Sequence, residues 1–173
     1  MTGAEYASLV AQYLVRAYAP RGVQVYREVT FGKTIIGKNR RIDILVVQES
    51  TQRALGIECK YQGSGGTADE KIPYALEDLR ASGLPVCLAY AGAGFSPGVL
   101  LMLAASPIAA YCLPVAPELA PGPETRELDL ALALGFRWWD VVVRGKTPLG
   151  VEPVATPPDH GPQLSLGDVE DDG

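Results

Sequence analysis

Asp43 interrupts the apolar run Ile42-Asp43-Ile44-Leu45-Val46-Val47, and Glu58 and Lys60 interrupt a second run, Leu55-Gly56-Ile57-Glu58-Cys59-Lys60-Tyr61. Charges in apolar surroundings are normally paired or bound to metal, because burying them bare is costly. Two carboxylates and an ammonium are the groups needed to hydrolyse a phosphodiester. The carboxylates can hold Mg²⁺, a hard cation that takes oxygen ligands and keeps several waters. The cation binds a phosphate oxygen and lowers the pKa of a bound water. The ammonium stabilises charge building up in the transition state, or orients the attacking water. The competing interpretation is a set of surface salt bridges, Glu58 with Lys60 and Asp43 with Arg40 or Arg41. A Glu-x-Lys tripeptide is a poor signal by itself. Its setting strengthens it, because an acid stands at the centre of the preceding apolar run.

Strands must position these groups. Side chains alternate along a strand, so Glu58 and Lys60 share one face and Ile57 and Cys59 the other, while Asp43 is expected to point away from Ile42 and Ile44. The pattern predicts a helix over 3–18, with apolar residues at three- and four-residue spacing, stopped by Pro20 and Gly22. Strands follow over 23–30, 41–47 and 54–61, the first two joined by a hairpin-like segment with Gly32, Gly37 and Asn39. A Gly-rich loop over 62–67 leads to a helix over 69–82, with Pro73 in its first turn or bending it. Strands over 84–90 and 108–115 flank a helix over 97–105; the first is almost wholly apolar, as in a sheet covered on both faces. Residues 125–134 read as a helix, and 136–143 as strand or helix end. This order predicts an α/β domain over 1–147, a mixed sheet flanked by helices. Residues 148–173, Pro-rich and acidic, are expected to be a disordered tail.

The net charge of −5 argues weakly against a nucleic-acid partner, but the charge is unevenly spread. All fifteen Lys and Arg lie in residues 1–150 with fourteen acids, while the last 23 residues carry six acids and no Lys or Arg. Between Arg16 and Arg41 stand seven basic residues and a single acid, Glu28. Such a patch can hold phosphates on an acidic protein; a solvated hairpin accounts for it equally well. No apolar stretch is long enough to span a bilayer, and no signal peptide opens the sequence. Cys59, Cys87 and Cys112 match no zinc spacing and are expected to be buried reduced thiols in a cytoplasmic protein.

The two segments carrying Asp43 and Glu58-Cys59-Lys60 resemble the halves of the PD-(D/E)XK signature of restriction-endonuclease-like nucleases. The superfamily's αβββαβ order covers roughly residues 3–90. Ile42 stands where the name has proline. The resemblance implies a Mg²⁺-dependent nuclease, with Mn²⁺ able to substitute, that cleaves nucleic acid, usually DNA. It implies Asp43, Glu58 and the Cys59 backbone carbonyl as metal ligands, and Lys60 as the catalytic cation. Glu5, in Gly3-Ala4-Glu5-Tyr6, resembles an auxiliary acid of the first helix. It reads equally as an acid complementing the helix dipole, and Glu28 competes for the same role.

The segment Gly66-Thr67-Ala68-Asp69-Glu70-Lys71-Ile72-Pro73-Tyr74 resembles one found in some restriction-enzyme-like members, with Gln62 and Lys71 able to reach the scissile phosphate. For Thr67 and Glu70 a helix capping box is the favoured reading. Lys33, Lys38, Arg40 and Arg41 are candidate DNA contacts. The alternatives are a non-catalytic nucleic-acid-binding module on the same fold, or an adaptor whose charges only form salt bridges. Cutting both strands of a duplex calls for a dimer or two binding events, and the exposed strand pairs and the Trp-rich segment make a homodimer plausible. Gln163-Leu164-Ser165-Leu166 resembles a sliding-clamp-binding peptide, although Gly167 replaces its aromatic anchor. Trp138 and Trp139 could stack on bases but more often such residues anchor cores or interfaces. Gly92-Ala93-Gly94 lacks the third glycine of a dinucleotide loop and reads as a turn.

Overall fold

The computed structural model describes residues 1–64 and 68–150. Helix α1 (Gly3–Tyr18) begins with a reciprocal cap: Thr2 accepts from the Glu5 N–H and Glu5 accepts from the Thr2 N–H. Its buried stripe of Tyr6, Val10, Tyr13 and Leu14 follows helical spacing. The chain then turns at Gly22, whose φ of 68° suits a residue without Cβ.

Five strands follow: β1 (Val23–Lys33), β2 (Asn39–Gln48), β3 (Arg53–Tyr61), β4 (Val86–Ala91) and β5 (Ala109–Tyr111). They lie in chain order across one mixed sheet. The pairs β1–β2 and β2–β3 are antiparallel, whereas β3–β4 and β4–β5 are parallel. The parallel pairs require crossovers, supplied by α2 (Ala68–Arg80) and α3 (Pro97–Ala105). The mixed sheet flanked by helices matches the expected restriction-endonuclease-like class.

Strand β5 is shorter than the predicted 108–115. The Cys112 N–H still donates to the Tyr90 carbonyl (3.0 Å), but the Cys112 carbonyl accepts the Tyr6 hydroxyl (2.7 Å), and Pro114, the next residue facing β4, has no N–H to offer. The chain therefore leaves the ladder early. The ambiguous segment over 136–143 ends helix α4 (Arg126–Phe136) and forms the short helix α5 (Trp139–Val142). Trp138 is buried, stacked between Phe136 and Tyr18, while Trp139 is exposed.

Two apolar cores sandwich the sheet. One joins α1 and α4 to Ile44, Val46, Ile57, Cys59 and Cys87. The other joins α2 and α3 to Ile42, Leu88 and Tyr90. In the first core the buried Asp129 is satisfied by the hydroxyls of Tyr13, Tyr18 and Thr125, as a buried carboxylate must be. All three cysteines are free and buried, and burial pushes the Cys87 thiol up to about 12. No helix among the described residues is long and apolar enough to cross a membrane. The tail expected over 148–173, with its clamp-like Gln163–Leu166, lies almost wholly outside the described residues, as do Gly65, Gly66 and Thr67.

Candidate active site

Glu58 and Lys60 emerge from β3 on the face covered by α2, and the Lys60 ammonium lies 2.5 Å from Glu58 Oε1. Both line a cleft of about 260 Å³. Ile42 shares its floor, Thr34, Arg40 and Arg41 come from the β1–β2 hairpin, and Lys71, Tyr74 and Asp78 from α2. The cleft is large enough for a phosphate with waters, and four of its lining side chains are cationic: Arg40, Arg41, Lys60 and Lys71.

Asp43 reaches the same stretch of β3 by a break in its own strand. Ile42 packs in the α2/α3 core and Ile44 in the α1/α4 core. An unbroken two-residue alternation puts both on one face, so the expectation that Asp43 simply opposes the pair is corrected. The paired residues of β1 and β2 run Arg27–Ile44 and then Val29–Ile42, stepping over Glu28 and Asp43. Glu28 has a φ of 56°, the left-handed region that non-glycine residues rarely enter. Freed from the ladder, Asp43 Oδ2 accepts the Cys59 N–H at 2.9 Å, one residue from Glu58.

The electrostatics are unbalanced. Burial pushes the Glu58 carboxyl above its ordinary value; Lys60 opposes that and the nearby Asp43 charge reinforces it. One ammonium thus faces two carboxylates. A divalent cation fits that excess. Among the described residues no three His, Cys, Asp or Glu side chains gather to hold a metal by themselves. A cation resting on two carboxylates and a carbonyl would leave positions for water and phosphate oxygens, which is how Mg²⁺ is usually held.

The other expected residues divide. Lys71 and Arg41 line the cleft, with Arg41 also 3.8 Å from Glu28. Lys33, bonded to Asn39 Oδ1, and Lys38 are exposed on the hairpin. Arg40 is not free to contact DNA as expected. Its side chain is 5% exposed, and its guanidinium donates to both Asp78 carboxylate oxygens (2.9 and 3.0 Å) and to the Asp78 carbonyl (2.9 Å). This pairing raises the Arg40 pKa and lowers that of Asp78. Asp78, which did not stand out in the sequence, fastens the hairpin to α2. The only sequence signal for it was its helical spacing from Lys71 and Tyr74.

Gln62 does not point into the cleft. It is buried, and its amide donates to Asp69 Oδ1 (3.1 Å) and the Gly94 carbonyl (2.7 Å). The turn at Gly92–Gly94 seals this corner, because a Cβ on Gly94 would lie 2.4 Å from the Ser64 carbonyl oxygen. Glu5 is exposed, and its carboxylate is occupied at the start of α1, where the Thr2 N–H holds its pKa down. It acts as a cap in this structure and touches none of the cleft residues.

The sheet thus presents Glu58 and Lys60 to the cleft, with Asp43 of the adjacent strand bonded to the Cys59 N–H between them. The chain belongs to the PD-(D/E)XK nuclease superfamily, whose domain model matches residues 2–139. That superfamily is generally one of nucleases and typically uses divalent metals. No curated protein matches the chain. Two solved structures align in part. One is a protein of unknown function, AF1548, with 14% identity, a TM-score of 0.38, and 57% of this chain and 53% of that chain covered. The other is a repair endonuclease from Pyrococcus abyssi, with 17% identity, a TM-score of 0.35, and 59% and 44% covered. The chain thus spans about half the length of these structures, and at such scores they carry no argument about its chemistry.

Proposed function

We propose that this protein is a Mg²⁺-dependent deoxyribonuclease whose centre is Asp43, Glu58 and Lys60. The observation that carries the reading is the largely buried Glu58–Lys60 pair facing a cationic cleft, with Asp43 of β2 bonded to the N–H of the intervening Cys59. Asp43, Glu58 and the Cys59 carbonyl would hold the metal, which when bound supplies Lewis acidity and an activated water. Asp43 is oriented by the Cys59 N–H. Glu58 keeps Lys60 directed into the cleft, where its ammonium meets the charge developing on the phosphoryl oxygens. Lys71 and Arg41, from opposite walls, grip the flanking phosphates.

The test is incubation with plasmid, single-stranded and branched DNA, with and without Mg²⁺ or Mn²⁺, beside Lys60→Ala and Asp43→Ala. Metal-dependent cleavage is expected, reduced at least about 10²-fold in kcat by Lys60→Ala, as when one transition-state donor is removed. Binding without cutting would make the chain a nucleic-acid-binding module, and neither binding nor cutting an adaptor.

A further inference from the structure

The turn between β1 and β2 carries the wrong residues for a solvent turn. Outer turn positions favour Gly, Asn, Asp, Pro and Ser. Here they are the β-branched Ile35 and Ile36, 46% and 62% exposed. The backbone is nonetheless well built. The Thr34 N–H donates to the Lys38 carbonyl (2.8 Å), the Gly37 N–H to the Thr34 carbonyl (2.9 Å), and the Lys38 N–H to Thr34 Oγ1 (3.1 Å). Gly37 takes the left-handed position that closes the turn. The Ile35 N–H also donates to Asp78 Oδ1 (2.8 Å), so the tip is tied to α2 by the same carboxylate that holds Arg40.

Two exposed aliphatic side chains thus stand on a backbone fixed by hydrogen bonds, flanked by the exposed Lys33 and Lys38 and adjoining the cleft through Thr34 and Arg41. An apolar point ringed by cations matches nucleic acid, whose phosphates meet the lysines and whose base stack admits an aliphatic wedge. Proteins that kink duplex DNA insert Ile, Leu, Met or Phe between base steps in this way, exchanging unstacking for a bend. A partner protein recognised through Ile35 and Ile36 alone would gain nothing from the flanking lysines.

We infer that the Thr34–Gly37 tip is a wedge that unstacks duplex DNA beside the cleft, with Ile35 and Ile36 entering the stack and Lys33 and Lys38 holding the adjoining phosphates. The inference rests on the nuclease reading and deepens it: the favoured substrate is DNA already kinked, mismatched or branched, where opening a step costs least.

The experiment uses Lys60→Ala protein, expected to bind without cutting, on short duplexes with 2-aminopurine placed at successive positions. Saturating protein is expected to raise the fluorescence at one or two adjacent positions. Ile35→Ser/Ile36→Ser is expected to return it to the free-duplex level while melting as the parent does. Lys33→Gln/Lys38→Gln is expected to keep the signal at saturation but flatten the salt dependence of binding by about two units of slope, one per lost phosphate contact. No rise with the native tip, or a rise that survives the double serine variant, overturns the wedge. So does self-association or vesicle binding that disappears in that variant while DNA handling is unchanged. If the otherwise native protein cuts DNA while the tip variant matches it in rate and substrate preference, the wedge alone fails. If no DNA is bound or cut under any condition, the nuclease reading fails and the wedge with it.

Discussion

Replacing Asp78 separates two roles for Arg40, clamp and DNA contact. In the structure three hydrogen bonds reach the Asp78 carboxylate, two from Arg40 and one from the Ile35 N–H. Asp78→Ala removes all three and strands a guanidinium whose side chain is 5% exposed. Breaking a buried ion pair from one side costs about 3–5 kcal/mol. The pair borders an open cleft, so the lower end, about 3 kcal/mol, applies. For a chain of this size each kcal/mol lowers the melting midpoint by about 2–4 °C, giving a fall of roughly 6–12 °C. Arg40→Met/Asp78→Leu removes both charges together and should recover most of that loss, since an apolar pair of similar volume often replaces a buried ion pair without penalty. Thermal melts of the single and double variants are the assay, alongside DNA binding across a salt series. A clamp predicts a low midpoint for Asp78→Ala, recovery in the double variant, and an unchanged salt slope for Arg40→Met. A midpoint within about 2 °C of wild type for Asp78→Ala, with a slope reduced by about one in Arg40→Met, would refute the clamp and return Arg40 to the phosphate contacts.

Glu58→Gln should raise stability without metal at neutral pH. Burial raises the native pKa of Glu58, so its contribution is intact below the unfolded value of about 4.3 and is lost as pH rises through the native value. Melts in chelator should show the variant above wild type at pH 7 and level with it in acid. Mg²⁺ should stabilise wild type more than the variant, and equal stabilisation of both would count against Glu58 as a ligand. Gly94→Ala should destabilise the fold, by roughly 1–3 kcal/mol, because the new methyl meets Ser64 backbone rather than a movable side chain. Gly98→Ala, with open space around it early in α3, should instead stabilise by up to about 1 kcal/mol, and denaturant titration distinguishes the two. Glu5→Ala should leave the cleavage rate intact and lower only the melting midpoint; a loss of rate in the folded variant would restore Glu5 as an auxiliary acid.

Much of this site is written in local pattern. Helical spacing gives α1, and alternation gives the shared face of Glu58 and Lys60. The capping potential of Thr2 and Glu5 was equally open to view, although the family resemblance drew Glu5 toward the metal. What the pattern could not give depends on distant partners. Arg40 looks like any hairpin cation until Asp78, thirty-eight residues on, claims it. Gln62 looks poised over the phosphate until the Gly92–Gly94 turn takes its amide. Strand β5 ends where the Tyr6 hydroxyl, more than a hundred residues away, takes the Cys112 carbonyl and Pro114 offers β4 no N–H. Each departure comes from a hydrogen bond between segments far apart in sequence, to which period and propensity are blind.

The same holds for the break that delivers Asp43, and there the backbone itself can be tested. Glu28 holds a φ of 56° within β1, where the ladder steps over it and Asp43 together. A left-handed conformation costs an ordinary residue roughly 1–2 kcal/mol. Glycine enters it freely, and pays about 0.5–1 kcal/mol relative to alanine for its unfolded-state entropy. The exposed Glu28–Arg41 contact at 3.8 Å contributes no more than about 1 kcal/mol. These contributions nearly cancel, so Glu28→Gly should be close to neutral. Arg27→Gly and Val29→Gly, which join the ladder on either side, should each lose about 1 kcal/mol with nothing returned. Glu28→Val should be worse than any of them, since a β-branched residue resists positive φ most strongly. A melt series over these positions therefore maps the kink. A cost at Glu28 matching those of its neighbours would mean that β1 runs straight past Asp43, and that the carboxylate reaches Cys59 by some route other than a strand forced to change faces.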